Sequence, residues 1–159
     1  MKGVFLAAAV FGLLTLAAGK GGEQDPAGIF EGLDDVLSRR SGVTVLVFFS
    51  PDCYSCFDDL FEMKHFLDKN AWPASVVGIA SGLRGDLELF IEKYDWTLPV
   101  VWDRKRRIFN RFGVRRAPFK MLLVDGDVIY QDDPYKDFAE RREGIKECLR
   151  NIFSPRRFS

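Results

Sequence analysis

Two cysteines separated by two residues, Cys53 and Cys56, lie where an apolar run from Val43 to Phe49 gives way to a stretch with helical spacing, Phe57 to Lys69. A dithiol at such a junction suits thiol-disulfide exchange. The first amide N–H groups of a helix have no intrahelical partner and, with the helix dipole, favour negative charge, so a thiol placed there ionises more readily. Cys53 is therefore the expected nucleophile. Cys56, one turn further on, is the thiol that closes a disulfide back onto it and releases a mixed-disulfide partner. Lowering a thiol pKa from about 8.5 to about 7 raises its thiolate fraction at neutral pH roughly 16-fold, but the loss of nucleophilicity returns about fivefold. Tuning thus sets the direction of exchange more than its rate.

The same pair also fits a fixed structural disulfide or half of a zinc site. Zinc needs two more ligands, and Cys148 and His65 are the only other Cys or His residues in the chain. His65 lies nine residues past Cys56 and faces away from it on the same helix. Cys148 is expected to pack inside the last helix, as free cysteines commonly do. Asp59, three residues beyond Cys56 on the same helical face, is placed either to relay a proton to the resolving thiol or simply to complement the helix dipole. Asp58 points to solvent.

The elements around the dithiol read in order as follows. Met1 to Gly19 opens with Lys2, continues through an apolar run from Val4 to Ala18 and closes on small residues, the pattern of a secretory signal peptide that leaves no stable membrane span once processed. Residues 20–28 are a linker, 29–153 one domain and 154–159 a tail. Ile29 to Arg40 has helical spacing, and Val43 to Phe49 reads as a strand covered on both faces in the middle of a sheet. A helix runs from Cys53 to Asn70, a strand from Ser75 to Ala80, a helix from Asp86 to Tyr94 and a short strand from Pro99 to Trp102. A basic turn or helix follows from Arg104 to Phe112. Asp125-Gly126 between Phe119 to Val124 and Val128 to Tyr130 predicts a tight hairpin, and a last helix spans Tyr135 to Phe153. This order argues an α/β layered sandwich with a mixed central sheet flanked by helices. The 23 basic and 23 acidic residues balance, and nothing in the composition points to nucleic acid.

With the Cys pair after the first long strand and Ala117-Pro118 ahead of the hairpin, the order resembles the thioredoxin fold, and more closely the exported TlpA-like thiol-disulfide oxidoreductases. The resemblance covers Leu33 to Cys148 and is carried by Cys53-Tyr54-Ser55-Cys56, by Gly113-Val114-Arg115-Arg116-Ala117-Pro118 and by the hairpin. It implies a cis peptide bond before Pro118, with Ala117 presenting its backbone to a substrate peptide. It further implies reduction of exported proteins with disulfides, cytochrome c apoproteins among them, an upstream electron donor, and no cofactor or metal. Three positions depart from the pattern: Asp52 stands where Trp is usual, Ser55 where a proline often precedes the second cysteine, and Val47 near the place of thioredoxin's buried acid. Asp59 matches an acid that TlpA-like members carry three residues after the second cysteine.

Seven basic residues lie between Arg104 and Arg116. A solvated turn accounts for such a run, but Arg115 and Arg116 adjoin Pro118, where they would help to dock an acidic partner. Two other readings stand beside the exchange reading. One is a thiol peroxidase, since Ser50-x-x-Cys53 resembles half of the peroxiredoxin pattern, although Leu46 occupies the place of its proline. The other is a non-catalytic thioredoxin-like binding module with a structural disulfide.

Overall fold

Seven consecutive residues, Val43–Phe49, form a strand buried along its whole length, and the other elements are arranged around it. The computed structural model describes residues 28–154, so the signal peptide 1–19, linker residues 20–27 and tail residues 155–159 lie outside the described residues. In chain order the elements are β1 (Ile29–Phe30), α1 (Leu33–Leu37), β2 (Val43–Phe49), α2 (Tyr54–Asn70), β3 (Ala74–Ala80) and α3 (Arg84–Lys93). Then come β4 (Val100–Trp102), α4 (Arg107–Arg111), β5 (Phe119–Val124), β6 (Asp127–Gln131) and α5 (Phe138–Phe153).

The six strands make one mixed sheet in the order β1-β4-β3-β2-β5-β6. Strand β2 is parallel to β3 along its full length and antiparallel to β5, so it lies inside the sheet, as its unbroken apolar run requires. Successive side chains of a strand point to opposite faces, and β2 divides accordingly. Val43, Val45, Val47 and Phe49 join a core cluster with Cys56, Leu60, Met63 and Leu67 of α2, Leu87 and Phe90 of α3, and Ile145 and Leu149 of α5. Leu46 and Phe48 face the other way, toward Leu33 and Val36 of α1 and Phe109 of α4. The result is a three-layer α/β sandwich with helices on both faces of the sheet.

Local signals account for most element ends. Asp125 and Gly126 turn the hairpin with φ of 51° and 93°, the pair of left-handed residues that a two-residue connection needs and that Asp-Gly supplies. Helix α2 stops at Ala71, whose left-handed backbone (φ 50°) lets its N–H reach the carbonyls of Asp68 and Leu67. Two expectations are corrected. Ile29 to Arg40 is not one helix: Ile29 and Phe30 pair in parallel with Val100 and Val101, and the helix is confined to Leu33–Leu37. The two apolar residues bury more by completing the edge beside β4 than by extending a helix past Gly32. The last helix begins at Phe138 rather than Tyr135, because Asp137 and Glu140 form a reciprocal capping box, and Tyr135 is left fully exposed.

Gly144 of α5 sits against Tyr130 of β6: a Cβ there would lie 2.7 Å from the phenol oxygen and 3.3 Å from Cε2. Alanine in a helix interior is ordinarily favoured over glycine by about 1 kcal/mol, whereas overpacking costs about 1–3 kcal/mol. Gly144→Ala is therefore expected to lower stability by about 1 kcal/mol in guanidinium denaturation. In a Tyr130→Phe background, where the nearest atom is gone, the same change is expected to be neutral or stabilising.

Candidate active site

The loop Ser50–Cys53 leaves the end of β2 and turns directly into α2. The Cys53 N–H donates to the Ser50 carbonyl (3.0 Å) and the Cys56 N–H to the Cys53 carbonyl (3.1 Å). Cys53 is the N-cap residue, extended in backbone and without a side-chain cap bond to the helix, so its sulfur lies at the positive end of a 17-residue helix. It is half-buried, while Cys56 is wholly buried against the core. The two form a disulfide with a Cα–Cα separation of 5.3 Å. A half-buried cysteine is thus linked to a fully buried one a turn behind it. The Ser55 hydroxyl lies 3.5 Å from the Cys53 sulfur, and the Ser50 hydroxyl donates to the Asp52 carboxylate. That bond engages the Asp52 carboxylate.

Strand β5 brings Ala117 and Pro118 to the same end of the sheet. Phe119 pairs with Phe48 in the antiparallel ladder, so Pro118, one residue earlier, falls beside the end of β2 from which the dithiol loop departs. The Ala117–Pro118 bond is cis. Pro118 is buried and its carbonyl accepts from Arg141 Nη1 at 3.1 Å, whereas Ala117 is half-buried. No backbone hydrogen bond joins Arg116 or Ala117 to another described residue.

Beneath the dithiol lies a buried charge network that the sequence reading did not contain. Lys120 of β5, 1% exposed, places Nζ 2.7 Å from Asp59 Oδ2 and 3.0 Å from Asp132 Oδ2. Arg142 Nη2 stands 3.7 Å from Asp59 and Arg141 Nη1 3.9 Å from Asp132. Asp132 also accepts from the Lys120 backbone N–H (3.0 Å) and the Tyr130 hydroxyl (3.2 Å). Burial pushes the Asp59 carboxyl above the usual carboxylate range, with the Lys120 ammonium opposing it. Burial and the Asp132 carboxylate likewise push the Tyr130 phenol up. The signal for this network was a lysine inside an otherwise apolar strand, Phe-Lys-Met-Leu-Leu-Val, since a buried ammonium demands carboxylates.

The remaining candidate residues separate clearly. Asp59 shares the buried face of α2 with Cys56, so it is not a solvated complement to the helix dipole. Asp58 and His65 are exposed. Cys148 is a free, half-buried thiol packed at the edge of the core, and burial raises its pKa. Arg115 and Arg116 are exposed beside Ala117. Arg106, which the sequence reading treated only as one of a basic run, donates to Ser81 Oγ (3.3 Å) and the Arg115 carbonyl (3.4 Å).

The AhpC/TSA family pattern matches residues 32–142. StoA from Bacillus subtilis superposes with a TM-score of 0.55 at 21% identity, over 69% of this chain and 84% of that one. A secreted Mycobacterium tuberculosis disulfide oxidoreductase homologous to E. coli DsbE gives 0.52 at 22% identity, over 67% and 84%. The pneumococcal exposed lipoprotein thioredoxin Etrx1 from Streptococcus pneumoniae gives 0.58 at 18% identity, over 72% and 89%. These likenesses establish the thioredoxin-like fold. No curated protein sequence matches the chain.

Lys120→Met leaves two buried carboxylates without their shared counter-charge and is expected to destabilise the fold by about 3–5 kcal/mol in guanidinium denaturation. A loss below about 1 kcal/mol would show that Arg141 and Arg142 suffice. The pH dependence has a defined sign. The folded state raises the Asp59 pKa above 3.8, so the stability linked to this proton is complete below that value and is lost as pH rises through the folded pKa. Relative to Asp59→Asn, the native chain is expected to lose stability as pH climbs across the carboxylate range.

Proposed function

The chain belongs to the AhpC/TSA family, and we propose that it is an exported thiol-disulfide oxidoreductase that reduces disulfides of partner proteins. The observation that carries the reading is the placement of the dithiol: Cys53 half-exposed at the start of α2 and Cys56 buried one turn behind it, within disulfide reach. In the reduced protein the Cys53 thiolate attacks one sulfur of the partner's disulfide, forming a mixed disulfide while the partner's other sulfur leaves as a thiolate. Cys56, deprotonated, then attacks the Cys53 sulfur. The Cys53–Cys56 disulfide closes, the partner leaves with its second thiol, and two electrons and two protons have passed to it.

Asp59, on the same buried helix face as Cys56 and with its carboxyl pKa raised, takes up the Cys56 proton in this scheme. The partner chain lies beside Ala117 and Pro118, where backbone groups left without internal partners invite strand-type pairing. Return to the dithiol requires an upstream electron donor. The TlpA-like resemblance supports exported substrates, cytochrome c apoproteins among them, and the apolar leader 1–19 supports export. No helix among the described residues is long and apolar enough to cross a membrane. The peroxiredoxin pattern matches only in part: Leu46 stands where its proline belongs, and the Ser50 hydroxyl donates to Asp52.

Cys56→Ser is expected to accumulate partners as mixed disulfides on Cys53, visible as reducible adducts on a non-reducing gel, while Cys53→Ser accumulates none. Failure to trap any partner, together with absent dithiol activity in the unsubstituted protein, would sink the reading. Rapid consumption of hydrogen peroxide by the pure reduced protein would instead establish the peroxidase. A dithiol potential below about −300 mV with no exchange would mark the pair as structural.

A further inference from the structure

We propose that the loops around the dithiol form a docking surface for an acidic polypeptide segment, so that the disulfides this chain reduces are ones flanked by Asp and Glu. The proposal rests on the oxidoreductase reading above and specifies its substrate. Strands β2, β3 and β4 are mutually parallel and end at one edge of the sheet, where antiparallel β5 begins. The loops that leave those ends are tied to one another. Ser81 N–H donates to the Phe49 carbonyl (3.0 Å), Asp103 N–H to the Ala80 carbonyl (2.8 Å), and the Trp102 indole to the Gly82 carbonyl (3.1 Å).

Arg106 completes the rim. Its guanidinium bridges Ser81 and the Arg115 carbonyl and lies 4.3 Å from the centre of the Phe109 ring. The backbone ahead of Ala117 is therefore held against the loop that follows β3. On this fixed frame Arg104, Lys105, Arg115 and Arg116 are exposed, and none of them is ion-paired with a described acid. Several basic residues elsewhere are matched: Lys64 with Asp68, Arg84 with Glu31 and Glu88, Lys146 with Glu62, Arg150 with Glu143.

Two acids lie in these loops, and of the two only Asp52 is exposed. Asp103 is buried, and its carboxylate accepts from the N–H groups of Arg107, Ile108 and Phe109; Asp52 is hydrogen-bonded by Ser50. The chain as a whole is neutral, so these four exposed bases are a local excess and not part of a general positive charge. Tyr54, next to Cys53 and 83% exposed, adds an aromatic anchor of the type that interfaces favour. Exposed bases on loops at the same end of the sheet as a redox sulfur select a ligand that brings both negative charge and a disulfide, which is a protein segment rather than a lipid surface.

The test compares two oxidised peptides of equal length and equal disulfide spacing, one flanked by Asp and Glu and the other by Lys, as substrates of the reduced protein. The acidic peptide is expected to be reduced about 10-fold faster at low salt, the difference shrinking toward unity near 1 M salt. Arg115→Glu combined with Arg116→Glu should invert the ratio, and Arg104→Glu with Lys105→Glu should narrow it. A ratio is unaffected by a general loss of activity. Equal rates for both peptides would overturn the proposal, as would an unchanged ratio in both variants. Equal peptide rates with charge-dependent retention on phosphatidylglycerol vesicles would assign the loops to a membrane. An uncharged small disulfide separates the two levels: if the native protein does not reduce it, the oxidoreductase reading itself fails and takes the proposal with it.

Discussion

The buried ammonium of Lys120 constrains more of this structure than any other single group. A lysine with 1% of its surface exposed is tolerated only if carboxylates meet it, and two do, from α2 and from the end of β6. Asp59 must therefore face inward, which sets the rotation of α2 about its axis, and Cys56, one turn earlier on the same face, turns inward with it. On the strand side, Lys120 is the second residue of β5, and Pro118 immediately precedes that strand. Arg141 joins the same set, bonding the Pro118 carbonyl and standing beside Asp132. One ion network thus relates the helix that carries the dithiol to the strand that follows the proline.

The electrostatics at Cys53 follow from a competition that the sequence poses and the structure resolves. A carboxylate at position 52 works against a neighbouring thiolate, whereas the leading amides of α2 work for it. Asp52 is exposed and hydrogen-bonded to Ser50, so solvent and a hydroxyl share its charge. The helix amides are fixed and aimed along the helix axis toward Cys53. The Ser55 hydroxyl adds a further polar neighbour at 3.5 Å. The fixed dipoles are the better placed to act on the sulfur.

Much of the scaffold was legible in the sequence because its signals are local or periodic. The unbroken run Val43 to Phe49 specified an interior strand, Asp125-Gly126 specified its turn, and the spacing of Cys56, Leu60, Met63 and Leu67 specified the buried face of α2. Ile29 and Phe30 misled because two apolar residues fit helical spacing as well as an edge strand, and only the presence of β4 decides between them. The Asp137-Glu140 box was readable from its spacing and shows why the last helix starts where it does. The pairing of Lys120 with Asp59 and Asp132 was not readable, since it joins residues 61 and 12 positions apart with no pattern linking them. Arg106 was obscured by the basic residues around it. Its role depends on Ser81 and a backbone carbonyl, which leave no mark on composition.

The dithiol can open and close without disturbing this frame, and the reason is its position within one helix turn. Cys53 and Cys56 are separated by three residues, so the closed loop is short, and the chain-entropy relation gives the bond only about 2 kcal/mol of stabilising effect. Burial of a single leucine side chain, such as Leu60 of α2, contributes about 1.5–3 kcal/mol, and two core clusters flank the sheet. The fold therefore does not depend on the oxidation state of its cysteines. The bond joins the N-cap of α2 to its first turn, so its loss frees no second element, and the Pro118 carbonyl is held by Arg141 rather than by sulfur. A thiol exchanger needs this separation: the covalent bond that changes in each cycle is local, while the interactions that shape the site are non-covalent, buried and untouched by the chemistry.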